Sequence, residues 1–377
     1  MYVKFFGGVV LAASVSFISL ARAEAQYTIK VLDSPGGTTE AYAKGINNAG
    51  QIVGYTVDAN GNSHAALWNS GGLHSPLPEL NTPDSYSEAY RINNAGQIVG
   101  KSRFNTNFAH ATVWNAGSVT DIGVLPGASG GSFAMDINDN GVVGGSSNAP
   151  HGQHAYTWTQ AGGMVDWGSF DPNSNLNFAG WNAISNNGVM AGTAYVLFSP
   201  YKASMARPGD PGITNISPAG QYSFGMALAI NNSDTIVGYQ NPTGQSPHPA
   251  IFNGDGTFQD LGTLGFGEGW AEDISDTGVI VGRVFGEDEN QNFIVKAFVY
   301  QNGQMQDLFS LLGGQRDGWT QLFYAGAVND SGVIVGSGEY NGEYRAFVLT
   351  PTPEPATFGA ISVIGMMLTS RRRRRVV

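Results

Sequence analysis

Cysteine is absent from this chain of 377 residues, and charged residues are scarce, at 12% of the total. Without cysteine the fold has no disulfide, so a packed core must supply its stability. Lysine and arginine number 18, against 29 aspartate and glutamate residues, and seven of the basic residues lie in the two terminal segments. The central part of the chain is therefore strongly acidic. An acidic surface repels phosphate groups, which argues against nucleic acid and anionic lipid as partners.

The N-terminal segment has the pattern of a secretory signal peptide. Residues 1–23 place Lys4 before an apolar stretch that ends in the small-residue motif A-R-A at 21–23. A signal peptidase recognises this arrangement, so we expect the folded protein to start near Glu24. The alternative is a buried first helix, which the cleavage motif disfavours.

Residues 351–377 form a tail of three parts: a Pro-Glu-Pro triplet, an uncharged apolar stretch of 15 residues and a run of arginines. The apolar stretch is shorter than the roughly 17–25 residues that usually span a bilayer, so it predicts a marginal transmembrane anchor. The arginines are expected to remain cytoplasmic by the positive-inside rule. The residues that form the triplet and the arginine run are Pro353, Glu354, Pro355, Arg371, Arg372, Arg373, Arg374 and Arg375.

This tail resembles the PEP-CTERM sorting signal of Gram-negative bacteria. The resemblance implies transient anchoring in the inner membrane, processing by an exosortase-type sorting enzyme, and transfer to the cell surface or extracellular matrix. An uncleaved C-terminal anchor is the alternative.

A nine-residue motif recurs seven times along the chain. I-N-N-A-G-Q-I-V-G starts at residue 46 and returns letter for letter at 92, and related copies start at 137, 184, 230, 274 and 328. The Asn or Ser at its second position can start an Asx turn, and the glycine at its fifth position supplies the positive φ of a hairpin. Asp234 replaces that glycine in the fifth copy and tolerates the same conformation.

Two further motifs follow each hairpin. The first is a strand-like segment such as H-A-A-L-W, and in four repeats the second is D-I-G, D-W-G, D-L-G or D-L-F. Basic residues open the strand-like segment once per repeat, so we interpret them as hydrogen-bonding residues at strand ends and predict no metal site. These basic residues are His64, His110, His154, Lys202, His248, Lys296 and Arg345.

Each repeat thus contains about four strands, here called A to D, in some 46 residues. Such units predict an all-β fold, a seven-bladed β-propeller of four-stranded blades spanning residues 24–350. The last repeat lacks a strand D, so we expect the segment Q-Y-T-I-K-V-L at 26–32 to close the last blade and remove its open edge. An open β-solenoid is the alternative.

The three motifs together resemble the HAF family of probable extracellular repeats, over essentially the whole of the chain between its terminal segments. Only Lys296 and Arg345 precede a literal Ala-Phe, and the fourth repeat lacks both the aromatic residue and the Asp-Leu-Gly segment. The resemblance implies an exported repeat protein without an established activity.

The B–C connections vary between repeats and share a face of the predicted propeller with the D–A connections, which makes that face the candidate for recognition. Aromatic residues ahead of the innermost strands are expected to reach the same face, and flat rings beside amides suit sugar rings. The alternative is that these rings pack between blades. The candidate ligand-binding residues are Tyr42, Phe133, Trp181, Trp270, Trp319 and Tyr324.

No catalytic residue and no cofactor is predicted. Ser129 matches a nucleophile-elbow pattern, but no helix follows it. The acidic cluster at 287–289 has the side chains to hold calcium, although we interpret it as a solvated loop tip. The sequence therefore favours an exported, non-catalytic surface or matrix protein that associates with exopolysaccharide or another surface component. A glycan-active hydrolase or lyase with carboxylates on the variable face and a purely architectural protein are the alternatives.

Overall fold

The computed structural model describes residues 27–80, 86–105, 107–170, 177–196, 199–220, 223–241, 245–288, 290–314 and 316–352. The predicted signal peptide, with its cleavage site, and the sorting triplet and arginines lie outside these residues. No helix within the described ranges is long and apolar enough to cross a membrane.

The described residues contain 28 β-strands and one short 3₁₀ helix, Ser310–Leu312. The first half of the strands comprises β1 (Tyr27–Val31), β2 (Glu40–Ile46), β3 (Ile52–Val57), β4 (Ser63–Trp68), β5 (His74–Pro76), β6 (Ser87–Ile92), β7 (Ile98–Arg103), β8 (Ala109–Asn115), β9 (Ser118–Gly123), β10 (Ser132–Ile137), β11 (Val143–Asn148), β12 (Gln153–Thr159), β13 (Gly163–Gly168) and β14 (Asn177–Ile184). The second half comprises β15 (Met190–Val196), β16 (Lys202–Ala206), β17 (Thr214–Asn215), β18 (Gly225–Ile230), β19 (Ile236–Gln240), β20 (His248–Phe252), β21 (Phe258–Asp260), β22 (Glu268–Ile274), β23 (Ile280–Glu287), β24 (Phe293–Gln301), β25 (Gln304–Asp307), β26 (Trp319–Val328), β27 (Ile334–Tyr340) and β28 (Glu343–Pro351).

These strands form a β-propeller, which confirms the predicted all-β class. Five sheets have four strands each, in the orders β2-β3-β4-β5, β6-β7-β8-β9, β18-β19-β20-β21, β22-β23-β24-β25 and β1-β28-β27-β26. The strands β10 to β17 form one sheet of eight, because β12 and β14 are joined by a single parallel pair, Gln153 with Phe178. Seven separate four-stranded sheets, as the sequence predicted, are therefore not observed.

The N-terminal strand completes the last sheet, as the sequence predicted. β1 runs antiparallel to β28, from the pair Tyr27–Pro351 to the pair Val31–Phe347. Tyr27 and Leu32 are buried beneath this pairing. The chain ends are thus joined by a strand pair, and the outer edge of β28 is covered.

The glycines of the repeated motif have two distinct structural roles. Gly50 has φ of 77° in the A–B turn, and Asp234 adopts φ of 59° at the equivalent place, as predicted. Gly54 at the end of the motif faces a β-bulge in β2, and a Cβ there would lie 1.9 Å from the carbonyl oxygen of Tyr42. Only glycine fits this close approach of two backbones.

The seven A–B turns are linked into a closed ring. The second Asn or Asp of each turn accepts a hydrogen bond from the backbone N–H of the preceding turn, and the last turn donates to the first. The seven bonds run from Asn48 to Asn94, Asn94 to Asp139, Asp139 to Asn186, Asn186 to Asn232, Asn232 to Asp276, Asp276 to Asp330 and Asp330 to Asn48.

Four of the seven basic residues that open strand C pair with an aspartate of strand D. His110 Nδ1 lies 3.0 Å from Asp121, and Lys296 Nζ lies 3.0 Å from Asp307. The pairs His154–Asp166 and His248–Asp260 have the same geometry. This confirms the interpretation as strand-end hydrogen bonding, and no group of three or more metal-ligating His, Asp or Glu side chains occurs within the described ranges.

Candidate functional site

A cavity of about 300 Å³ lies on the axis of the propeller. The innermost strands of all seven repeats line it, because each contributes at least one side chain from β2, β6, β10, β14, β18, β22 or β26. Its lining residues are Lys44, Tyr55, Glu88, Tyr90, Arg91, Met135, Asn182, Leu228, Glu272 and Tyr324.

All six predicted ligand-binding aromatics lie inside the innermost strands and not in the loops ahead of them. Tyr324 lines the cavity directly. Tyr42, Phe133 and Trp270 each lie two residues before a cavity-lining residue of the same strand, so they point to the same side. The prediction placed these rings on the variable face. Tyr42, Phe133 and Tyr324 lie along the channel instead, because strand A starts earlier than the motif suggested, whereas Trp270 also lines a groove on the variable face.

Cations alternate with these aromatic rings around the channel. The guanidinium of Arg283 lies 4.4 Å from the ring centre of Trp270 and 5.3 Å from that of Tyr324. The ammonium of Lys44 lies 4.4 Å from the ring of Tyr324 and 5.9 Å from that of Tyr42. Cation–π contacts of this kind, partly shielded from water, hold neighbouring innermost strands together. Trp270 and Tyr324 therefore fit the alternative interpretation, in which the aromatic rings pack between blades.

Trp181 and Trp319 are buried in the hydrophobic core. Trp181 packs edge-on against Trp167 at 6.1 Å, and Trp319 packs edge-on against Phe347 at 5.7 Å. Neither side chain is accessible to a ligand in this structure.

The carboxylates of the cavity wall have cationic neighbours. Glu88 lies 3.2 Å from Lys101, and Glu272 lies 3.1 Å from Arg283. Burial raises the pKa of Glu272 above its usual range, although Arg283 and Lys44 favour the ionised form.

Arg91 crosses the channel at one end of this cavity. Its guanidinium donates to the carbonyl oxygen of Lys44 and, at 3.5 Å, to that of Glu272. Asp273 lies 3.9 Å away, and burial raises the pKa of this carboxyl to about 6 despite the nearby cation. Arg91 also lines the pocket between the A–B turns, so its side chain separates that pocket from the cavity.

The opposite face of the propeller carries exposed aromatic residues. Neighbouring strands within each four-stranded sheet are antiparallel, so the A–B and C–D turns lie at one face and the B–C connections at the other. Six large hydrophobic side chains are exposed in the part of the chain that the structure describes, and four of them are aromatic residues of B–C connections: Phe104, Phe108, Tyr201 and Phe293.

A second ring supports three of these exposed side chains. Phe104 stacks on His110 at 4.0 Å, and Tyr201 contacts Tyr195 at 4.6 Å. Phe293, with 69% of its surface exposed, lies 6.3 Å from Phe285. The sequence analysis missed these residues, although the signal was present as Phe and Tyr in loops that vary between repeats.

A groove of about 520 Å³ runs beside Tyr239 on the same face. Tyr239 stacks on Trp270 at 5.3 Å, and the B–C connection between β19 and β20 forms the other wall. The groove residues are Phe224, Tyr239, Gln245, Ser246, Pro247, Glu268 and Trp270. Rings next to an amide, a hydroxyl and a carboxylate can contact both the C–H faces and the hydroxyls of a sugar.

The acidic cluster at 287–289 is partly engaged by its own loop. Asp288 Oδ1 accepts hydrogen bonds from the backbone N–H groups of Asn290 and Asn292, both at 2.8 Å. The side-chain amide of Asn292 also donates to Asp288 Oδ2 at 3.1 Å, and this bond, together with the backbone bonds, lowers the pKa of the Asp288 carboxyl below its usual range. Glu289 lies outside the described residues.

Comparison with known proteins identifies the fold of this chain but does not identify a family. No family model and no curated protein matches the chain. Among solved structures it is similar to prolyl endopeptidases, at 9% identity and a TM-score of 0.54, over 87% of this chain and 51% of that one. A puromycin-hydrolyzing peptidase of Mycobacterium tuberculosis matches at 13% identity and a TM-score of 0.52, over 87% and 55%.

TolB from Acinetobacter baumannii also matches, at 11% identity and a TM-score of 0.45, over 80% of this chain and 64% of that one. The chain therefore spans between 51% and 64% of the length of these structures. At such identities the two peptidase matches show the propeller fold alone.

Proposed function

We propose that this propeller is a non-catalytic glycan-binding protein that recognises its ligand through the face formed by the B–C connections. The observation that carries the proposal is the exposure of supported aromatic rings on that face, in three different repeats. Exposed rings cost solvation free energy unless a partner covers them, and sugar C–H faces are suitable partners.

The charge of the chain restricts the class of glycan that the face can bind. Acidic residues outnumber basic residues by 29 to 18, and five of the basic ones lie in the tail. A polyanionic chain would be repelled over the Debye length of about 8 Å at physiological salt. We therefore propose a neutral polysaccharide, such as an exopolysaccharide of the producing cell or another surface component.

A glycan-array screen with the purified protein tests this proposal, with the Phe293→Ala variant as the probe of the face. Leu73→Ala is the matched control, because Leu73 is 61% exposed in a C–D turn on the other face. We expect binding to neutral glycans that falls in Phe293→Ala and persists in Leu73→Ala. A folded protein that binds no glycan would refute the proposal.

We also propose that the propeller has seven blades, with the strands β10–β13 and β14–β17 as two of them. The closed ring of seven turns supports this count. Among the described residues, the only strand pairing between the two groups is Gln153 with Phe178, which joins β12 to β14.

We also propose that the PEP-CTERM-like tail directs the protein to the cell surface. The exported part is the HAF-type repeat region. The support is the sequence pattern of residues 353–375 and of the first 23 residues. Cell fractionation of a strain in which Arg371–Arg375 are deleted tests this proposal. We expect the deletion to leave an unprocessed precursor and to reduce the surface-bound protein.

A glycan-active hydrolase or lyase is the second candidate, because Glu88 and Glu272 line one cavity and burial raises the pKa of Glu272. Raised carboxyl pKa values are a property of general acids. Release of reducing ends or unsaturated products from a glycan, abolished in Glu272→Gln, would favour this candidate over the binding protein.

A further inference from the structure

The ammonium group of Lys44 has no polar partner inside the channel. No hydrogen bond and no carboxylate within 4 Å involves its Nζ atom among the described residues, and its contacts are the rings of Tyr324 and Tyr42. Burial accordingly lowers the pKa of the Lys44 amine below its usual range. Lys44 is half-buried, and a cation partly removed from water without a counter-ion destabilises a fold, so its presence needs an explanation.

The other charged groups of the cavity wall are already paired. Glu88 has Lys101, Glu272 has Arg283, and Arg91 is held by Asp273 and three carbonyl oxygens. Lys44 is thus the cation of this wall that lacks a counter-ion among the described residues. The attraction of Glu88 and Glu272 for it acts over a longer distance than a salt bridge.

The cavity also has an apolar wall. Met135 and Leu228 line the cavity, as does the amide of Asn182. The volume of about 300 Å³ is at the lower end for ligand sites, which suits one sugar ring and excludes an oligosaccharide.

We propose that the central cavity binds a single uronic acid, with the ligand carboxylate on the Lys44 ammonium. The C–H face of the sugar packs on Met135 and Leu228. Arg91 closes the channel toward the A–B turns, so the ligand enters from the face of the B–C connections. This site is distinct from the exposed aromatic face, and it does not depend on the function proposed for that face.

Calorimetric titration with free glucuronate tests the proposal, and glucose is the uncharged comparison. We expect glucuronate to bind the wild-type protein and glucose to bind at least 10-fold more weakly. Lys44→Met should weaken glucuronate binding at least 10-fold, as should Lys44→Gln. Lys202→Met is the matched control, because Lys202 is a partly buried lysine outside the cavity that donates to the carbonyl oxygen of Ser223.

Thermal unfolding of the same variants gives a second readout. Because Lys44→Met removes a half-buried charge without a counter-ion, the variant should unfold at the wild-type temperature or above. The absence of glucuronate binding to the wild type, equal binding of glucose, or unchanged binding by folded Lys44→Met or Lys44→Gln would each overturn the proposal. Glucuronate binding that persists in Phe293→Ala is the expected result for two separate sites.

Discussion

The backbone N–H of Asp330 donates a hydrogen bond to the side-chain oxygen of Asn48 at 3.1 Å, across 282 residues of sequence. The Asn48 amide returns a bond to the Asp330 carboxylate at 2.6 Å. These two bonds close the ring of A–B turns at the same junction where β1 joins β28. The last and first repeats are therefore held together at the turns of one face and along an outer strand.

Replacing Asn48 by alanine should loosen this closure. We expect the free energy of unfolding to fall by about 1 kcal/mol, because the substitution removes two hydrogen bonds that are exposed to solvent. Urea denaturation measures this effect. Asn60→Ala is the control, since Asn60 is an exposed asparagine in a B–C connection whose side chain makes no hydrogen bond in the described structure. Equal losses in the two variants would show that the ring contributes nothing specific.

The N-terminal strand should contribute a large part of the stability of the last sheet. Leu32 is 1% exposed and packs in a core cluster with Trp68, so Leu32→Ala should cost about 3 kcal/mol. Thr28→Ala changes an exposed position of β1 and should cost less than about 1 kcal/mol. Thermal unfolding distinguishes the two. If both variants behave like the wild type, the strand does not hold the ends of the chain in solution.

The glycine that ends the repeated motif should not tolerate any side chain. Gly54→Ala places a Cβ 1.9 Å from the carbonyl oxygen of Tyr42, so strands β2 and β3 must separate. We expect a loss of about 3 kcal/mol in the free energy of unfolding. Gly212→Ala is the matched control, because no atom lies within 4 Å of the added Cβ. Similar stabilities of the two variants would contradict the close approach.

His64 should make the stability of the first repeat dependent on pH. Burial disfavours its charged form, but hydrogen bonds to Glu79 and Asp58, at 3.0 and 3.4 Å, outweigh burial and raise the pKa of His64 above 6.5. The stabilisation is therefore complete below the unfolded pKa and is lost as the pH rises through the folded pKa. We expect His64→Gln to destabilise the protein more at pH 5 than at pH 8. Equal losses at the two pH values would rule out this pairing.

The features of the fold that the sequence predicted follow from local patterns of residues. The recurring Asn and Gly define the hairpin turns, and Asp234 adopts the positive φ expected of the glycine that it replaces. The position of β1 followed from the missing fourth strand of the last repeat. The strand-end hydrogen bonding of His110 followed from the recurrence of a basic residue once per repeat, although its partner Asp121 was not predicted.

Contacts between repeats account for what the sequence could not predict. Joining β12 to β14 depends on a single residue pair, Gln153 with Phe178, which no local pattern marks. Trp270 resembles an exposed ligand-binding ring in sequence, but Arg283 and Tyr239 from neighbouring strands pack against it. Whether Lys44 has a counter-ion likewise depends on side chains from distant repeats, so the sequence could not show that it lacks one.

The measurement that tests the central claim most directly is the affinity of the face of B–C connections for its best neutral oligosaccharide from the array. Titration calorimetry should compare the wild-type protein with Tyr201→Ala, Phe293→Ala and Leu73→Ala. We predict that each aromatic variant binds about 10-fold more weakly, a loss of about 1.4 kcal/mol, while Leu73→Ala binds normally. Unchanged affinity in both aromatic variants, with the fold intact, would contradict a glycan-binding face.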